Sequence, residues 1–104
     1  MIRCAFKMKL KPGVVAEYKK RHDEIWPELA QALRDAGVSD YSIFLDEETL
    51  TLFAVQKLGE NNTAAALPQT AVVKKWWASM APLMAVNADN SPVCTDLREV
   101  FHLD

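Results

Sequence analysis

His22 is the side chain in this 104-residue sequence best suited to proton transfer. An imidazole with a free pKa of about 6.5 can give and take a proton near neutrality. Tyr18 precedes it by four residues and Trp26 follows by four, so on a helix the three would share a face. The phenol can donate or accept a hydrogen bond, which makes Tyr18 and His22 a small polar island on an apolar stripe. A histidine on such a stripe is more often a hydrogen-bonded core residue than a catalyst, so its chemical fitness is a reason to look further and not a conclusion.

Trp76 and Trp77 are the second feature. Adjacent helical residues point about 100° apart, so one indole can pack in the core while the other forms a platform. An indole presents an apolar face to the C–H face of a sugar and an N–H to a hydroxyl, although a tryptophan pair in a helix is more often packing. Tyr41 has the same ambiguity, and His102 reads most simply as an exposed or edge-strand residue. A Gly-rich phosphate loop, a Cys/His cluster with metal spacing and a nucleophile elbow are all missing from the sequence, so phosphoryl transfer, zinc chemistry and serine hydrolysis lack their minimum parts. Neither a metal nor a cofactor is expected.

The elements that must position these groups follow from hydrophobic periodicity. Residues 2–10 alternate, with Ile2, Cys4, Phe6, Met8 and Leu10 on one face, as in a half-buried strand. Val14, Tyr18, His22, Ile25, Leu29 and Leu33 then recur at helical spacing, and Gly37 reads as a left-handed cap. Pro27 inside this helix has no N–H to offer the carbonyl of Asp23, so a bend or loosened turn is expected directly after His22. Tyr41, Ile43 and Leu45, a polar turn at Asp46-Glu47-Glu48, and Leu50, Leu52 and Ala54 read as a β-hairpin. A short helical turn and loop over 60–70, a second main helix over roughly 70–84, a loop over 87–92 and a closing strand through Leu97, Glu99, Phe101 and Leu103 complete the chain. The order strand, helix, strand, strand, helix, strand is an α+β, ferredoxin-like βαββαβ arrangement, with an antiparallel sheet and helices on one face.

The hairpin is apolar on both faces, Phe44, Phe53 and Val55 on one and Ile43, Leu45, Leu50 and Leu52 on the other. A symmetric homodimer with sheets packed face to face would cover the remainder, the alternative being a cover supplied by the loop from Asn87 to Thr95. The length fits one domain spanning 1–104. Twelve basic and fourteen acidic side chains give a net charge of −2, without the positive field that a nucleic acid partner requires. The run Lys19-Lys20-Arg21 is interleaved with Glu17, Asp23 and Glu24, the pattern of a solvated helix face. Two cysteines, Cys4 and Cys94, do not support a disulfide framework. With no signal-like apolar run and no stretch of about 18 apolar residues, no membrane partner is expected and a cytoplasmic location follows by default.

Over nearly its whole length the chain resembles the L-rhamnose mutarotases. The resemblance is carried by Arg21-His22 and Ile25-Trp26-Pro27-Glu28-Leu29 in the first helix, Trp76-Trp77 in the last, Asp89-Asn90-Ser91-Pro92-Val93 in the loop, and the two ends, Met1-Ile2-Arg3 with Ala5-Phe6 and Val100-Phe101. It departs at Ala88, where the family commonly has proline, and in the alanine-rich segment 60–69. The resemblance implies a dimeric α+β barrel, an isomerase interconverting the anomers of L-rhamnose, His22 at the proton-donor position, and Tyr18, Tyr41, Trp76 and Trp77 at the substrate-binding positions. Two rivals stand beside it: another enzymology on the same barrel, of monooxygenase or lactone isomerase type, and a sugar-binding module without turnover.

Overall fold

The computed structural model describes residues 2–104; Met1 lies outside them. Strand β1 (Ile2–Lys9) leads into two helices, α1 (Val15–Asp23) and α2 (Pro27–Asp35). The hairpin β2 (Val38–Asp46) and β3 (Thr51–Leu58) follows, then a 3-10 helix over Ala64–Gln69, helix α3 (Ala71–Met80), a 3-10 turn over Ala81–Leu83, and the short strand β4 (Thr95–Leu97). The four strands form one sheet in the order β2-β3-β1-β4, and every neighbouring pair is antiparallel. This is the ferredoxin-like topology expected from the element order.

Alternation places Met8 and Leu10 from the first strand region and Leu52 and Ala54 from β3 on the helix-covered face. There they form the core with Tyr18, Met80, Leu83 and Met84, while Ile43 and Leu45 of β2 pack against its edge. Phe44 and Phe53 pair across the hairpin on the opposite face and remain 62% and 36% exposed. The loop 87–92 does not cover them. It folds back on itself beside the end of β1, with Val93 N–H donating to the Ala85 carbonyl and Ala85 N–H to that of Lys9.

Three expectations are corrected. The bend or loosened turn expected directly after His22 is a full break: α1 ends at Asp23. Glu24 N–H closes on the Lys20 carbonyl and Ile25 N–H on that of His22, after which Trp26 is extended (φ −61°, ψ 130°) and Pro27 opens α2. The residue before proline is sterically driven out of the helical region, and proline is at home in a first helical turn, so one residue both stops α1 and starts α2. The second main helix stops at Met80 and tightens to a 3-10 turn containing Pro82, which has no N–H for the α-helical pattern. The closing strand is only Thr95–Leu97. Leu97 pairs with Ala5, so only Ile2, Arg3 and Cys4 of β1 remain for a continuing ladder, and residues 98–104 leave the sheet with Val100, Phe101 and Leu103 exposed.

Candidate active site

Tyr18, His22 and Trp76 come together between α1 and α3. The periodicity of α1 turns Tyr18 into the core, where it is buried, and leaves His22 one turn later at the margin, half-buried. The Tyr18 and His22 rings lie 4.3 Å apart between centroids and are tilted by 30°. The Trp76 indole meets the imidazole edge-on at 5.4 Å, an arrangement that matches the aromatic quadrupoles.

One hydrogen bond sets the chemistry of this histidine. Its Nδ1 lies 3.0 Å from the backbone carbonyl of Tyr18. A carbonyl can only accept, so Nδ1 carries the hydrogen and, in the neutral ring, Nε2 holds the free lone pair. Burial lowers the His22 pKa from its ordinary 6.5, opposed by the bond to the Tyr18 carbonyl and by the charge of Asp23. The resting imidazole at neutral pH is therefore uncharged, with Nε2 ready to accept a proton.

Both phenols stay protonated. Burial raises the Tyr18 pKa, with Tyr41 adding to the rise; Tyr41, although 38% exposed, is raised as well, by the protein packed around it and by Cys4 and Cys94 nearby. Neither tyrosine can serve as a phenolate base near neutrality, and both can donate hydrogen bonds. Tyr41 reaches this side of the sheet through a β-bulge: Asp40 and Tyr41 stand opposite the single residue Gln56, and Asp40 adopts a left-handed φ of 47°. The extra residue changes the alternation, so Val38 before it and Ile43 after it both turn inward. Lys57 Nζ, 3.3 Å from an Asp40 carboxylate oxygen, holds the bulge from the neighbouring strand.

Trp77 is not part of the ring cluster: among the described residues no ring contact joins it to Tyr18, His22 or Trp26. Trp26 is the residue that sequence reasoning left out of the site. At the start of α2 its ring stands 5.2 Å from Trp76 in an edge-on contact. Its spacing of four from His22 was a signal, but one that assumed an unbroken helix. The described cavities lie elsewhere. One of about 510 Å³ is lined by Arg3, Lys57, Glu99, His102 and Asp104, and one of about 250 Å³ lies between α2 and the 3-10 helix. Size alone would select the first, but its lining is exposed ion-pairing groups at the C-terminal tail, where His102 bonds Arg3 and Asp104.

A family model described as L-rhamnose mutarotase matches residues 3–103. An L-rhamnose mutarotase of Brucella anthropi is 62% identical over 101 residues, covering 97% of this chain and 95% of that protein. One from Formosa agariphila is 56% identical over 104 residues, covering the whole of both. A crystal structure of an L-rhamnose mutarotase from Formosa agariphila superposes with a TM-score of 0.93 at 55% identity, again over the full length of each chain. Sequence and backbone agree from end to end, and the chain belongs to the L-rhamnose mutarotase family.

Proposed function

We propose that this chain is an isomerase that interconverts the α and β pyranose anomers of L-rhamnose in rhamnose metabolism, with Nε2 of His22 as the proton-exchanging atom. The observation that carries the reading is the fixed imidazole: Nδ1 is committed to the Tyr18 carbonyl, and the ring stands against Trp76 and Tyr18. Ring opening breaks the O–H bond of the anomeric hydroxyl and the bond from C1 to the ring oxygen, and forms a carbonyl at C1 and a hydroxyl at C5. The anomeric and ring oxygens share C1, so one Nε2 can take the proton from the first and deliver it to the second. Closure on the other face of the carbonyl reverses the transfer, and no C–H bond breaks.

General acid–base assistance is typically worth about a hundred- to ten-thousandfold. That suffices for a reaction that already runs unaided in water. The Tyr18 and Tyr41 hydroxyls would bind sugar oxygens, and the Trp76 and Trp77 indoles would form apolar walls for the ring face and the 6-methyl group. The outer sheet face, with Phe44, Phe53 and Leu97, would be buried in a symmetric homodimer together with the exposed apolar side chains of residues 98–104. The enzyme would act in the cytoplasm.

The test dissolves crystalline single-anomer L-rhamnose and follows the approach to equilibrium by NMR with and without the protein, with L-fucose and D-mannose as comparisons. Catalytic amounts of protein should shorten the relaxation for L-rhamnose. Saturable binding of L-rhamnose with an unchanged relaxation would instead identify a sugar-binding module.

A further inference from the structure

We propose that Arg21 is a positioning residue for this reaction, holding the helix that carries His22 against the helix that carries Trp76. Its guanidinium Nη1 donates to the backbone carbonyl of Ser79 at 2.5 Å, spanning α1 and the last turn of α3. This tether runs directly beside the functional contact: Arg21 precedes His22, and Ser79 follows Trp76 by three residues, one turn of α3.

The sequence supplies a reason for the Ser79 carbonyl to be free. A 3-10 turn would close on it with the N–H of residue 82, which is proline and has none. The last carbonyls of a helix need outside partners, and a cation is favoured there by the helix dipole. On α1, the Glu17 carboxylate lies 3.8 Å from Arg21 Nε and steadies the guanidinium one turn from its own backbone. The arginine side chain is only 33% exposed, unlike Lys19 in the same basic run at 74%. What reads in the sequence as a uniformly solvated face thus contains one side chain directed at a neighbouring helix.

The consequence concerns rate more than affinity. Tyr18 fixes α1 to the core one turn earlier, whereas the His22–Trp76 contact lies beyond that anchor. Arg21 adds a polar tie beside the edge-on ring contact where the end of α1 meets α3. A misplacement of about 1 Å of a catalytic group can cost as much as about a hundredfold in rate.

This inference rests on His22 being the proton-transfer group, and its test separates the two claims. Arg21→Met keeps an apolar stem, while Arg21→Lys keeps a donor and the charge. For each variant kcat and KM for L-rhamnose are measured by anomer-exchange NMR, and the ring signals of His22 are recorded, with Trp76→Leu defining the shift that the indole imposes on them. Arg21→Met should lower kcat by about tenfold or more with KM within about twofold, and move the His22 signals toward their Trp76→Leu positions. Arg21→Lys should restore part of both, and as the gentler change it judges the proposal should Arg21→Met fail to fold. Unchanged His22 signals in a folded Arg21 variant overturn the tether, whatever the rate does. Full exchange activity in His22→Ala would instead remove the histidine from the mechanism, leaving the ring signals to judge the tether alone.

Discussion

His22 is uncharged at rest because burial outweighs the two influences that favour its charged form, the Tyr18 carbonyl and Asp23. If neutral Nε2 begins each cycle, exchange activity should be level at neutral and mildly alkaline pH and fall with a single-proton inflection somewhat below 6.5. A rate that rises on acidification through that range would mean that the imidazolium begins the cycle. Stability should follow the same sign. The unfolded chain binds a proton at this group near the ordinary value of about 6.5 and the folded chain only at lower pH, so this contribution is present above 6.5 and lost as pH falls through the folded pKa. Tyr18 and His22 were legible in the sequence because their spacing put them on one helical stripe. The choice of Nδ1 as donor was not, since it depends on a backbone carbonyl and not on a residue type.

Among the elements, the long strands were readable from alternation because the side-chain period of a strand is two, and the fold was readable from the order of the elements. The break between α1 and α2 was only half readable. The apolar residues keep helical spacing through Ile25 and Leu29, while Pro27 removes three residues from the helix without disturbing the face on which they lie. The bulge at Asp40–Tyr41 left no mark in composition, and the closing strand is shorter than its alternation because alternation records a capacity for pairing and not the pairing itself. Gly37 belongs to this scale as well. It joins α2 to β2 at φ +90°, and an added Cβ would stand 2.9 Å from Asn62 Cβ. Gly37→Ala should therefore lower unfolding free energy in urea by about 1–3 kcal/mol, combining backbone strain with a steric clash. A loss below about 0.5 kcal/mol would show that the junction relaxes freely.

For the whole molecule, the outer sheet face leaves apolar side chains open to solvent. Phe44 and Phe53 form an apolar cross-strand pair in the open, flanked by Lys7 opposite Phe53 on β1. The proposed homodimer predicts a sedimentation mass near twice the 11.7 kDa of one chain, and a shift toward monomer in Phe44→Glu, which places a charge where apolar contact is expected. A wild-type protein that sediments as a monomer at micromolar concentration would remove that assignment while leaving the helix-side site intact. No helix among the described residues is long and apolar enough to cross a membrane.

The most direct measurement is saturation-transfer NMR on equilibrated L-rhamnose, comparing the wild-type chain with His22→Ala at equal concentration, with circular dichroism showing that both are folded. Magnetisation should pass between the two anomeric protons with the wild-type protein and return to the protein-free rate with the variant. A folded His22→Ala that exchanges the anomers as fast as wild type would contradict the account at its centre.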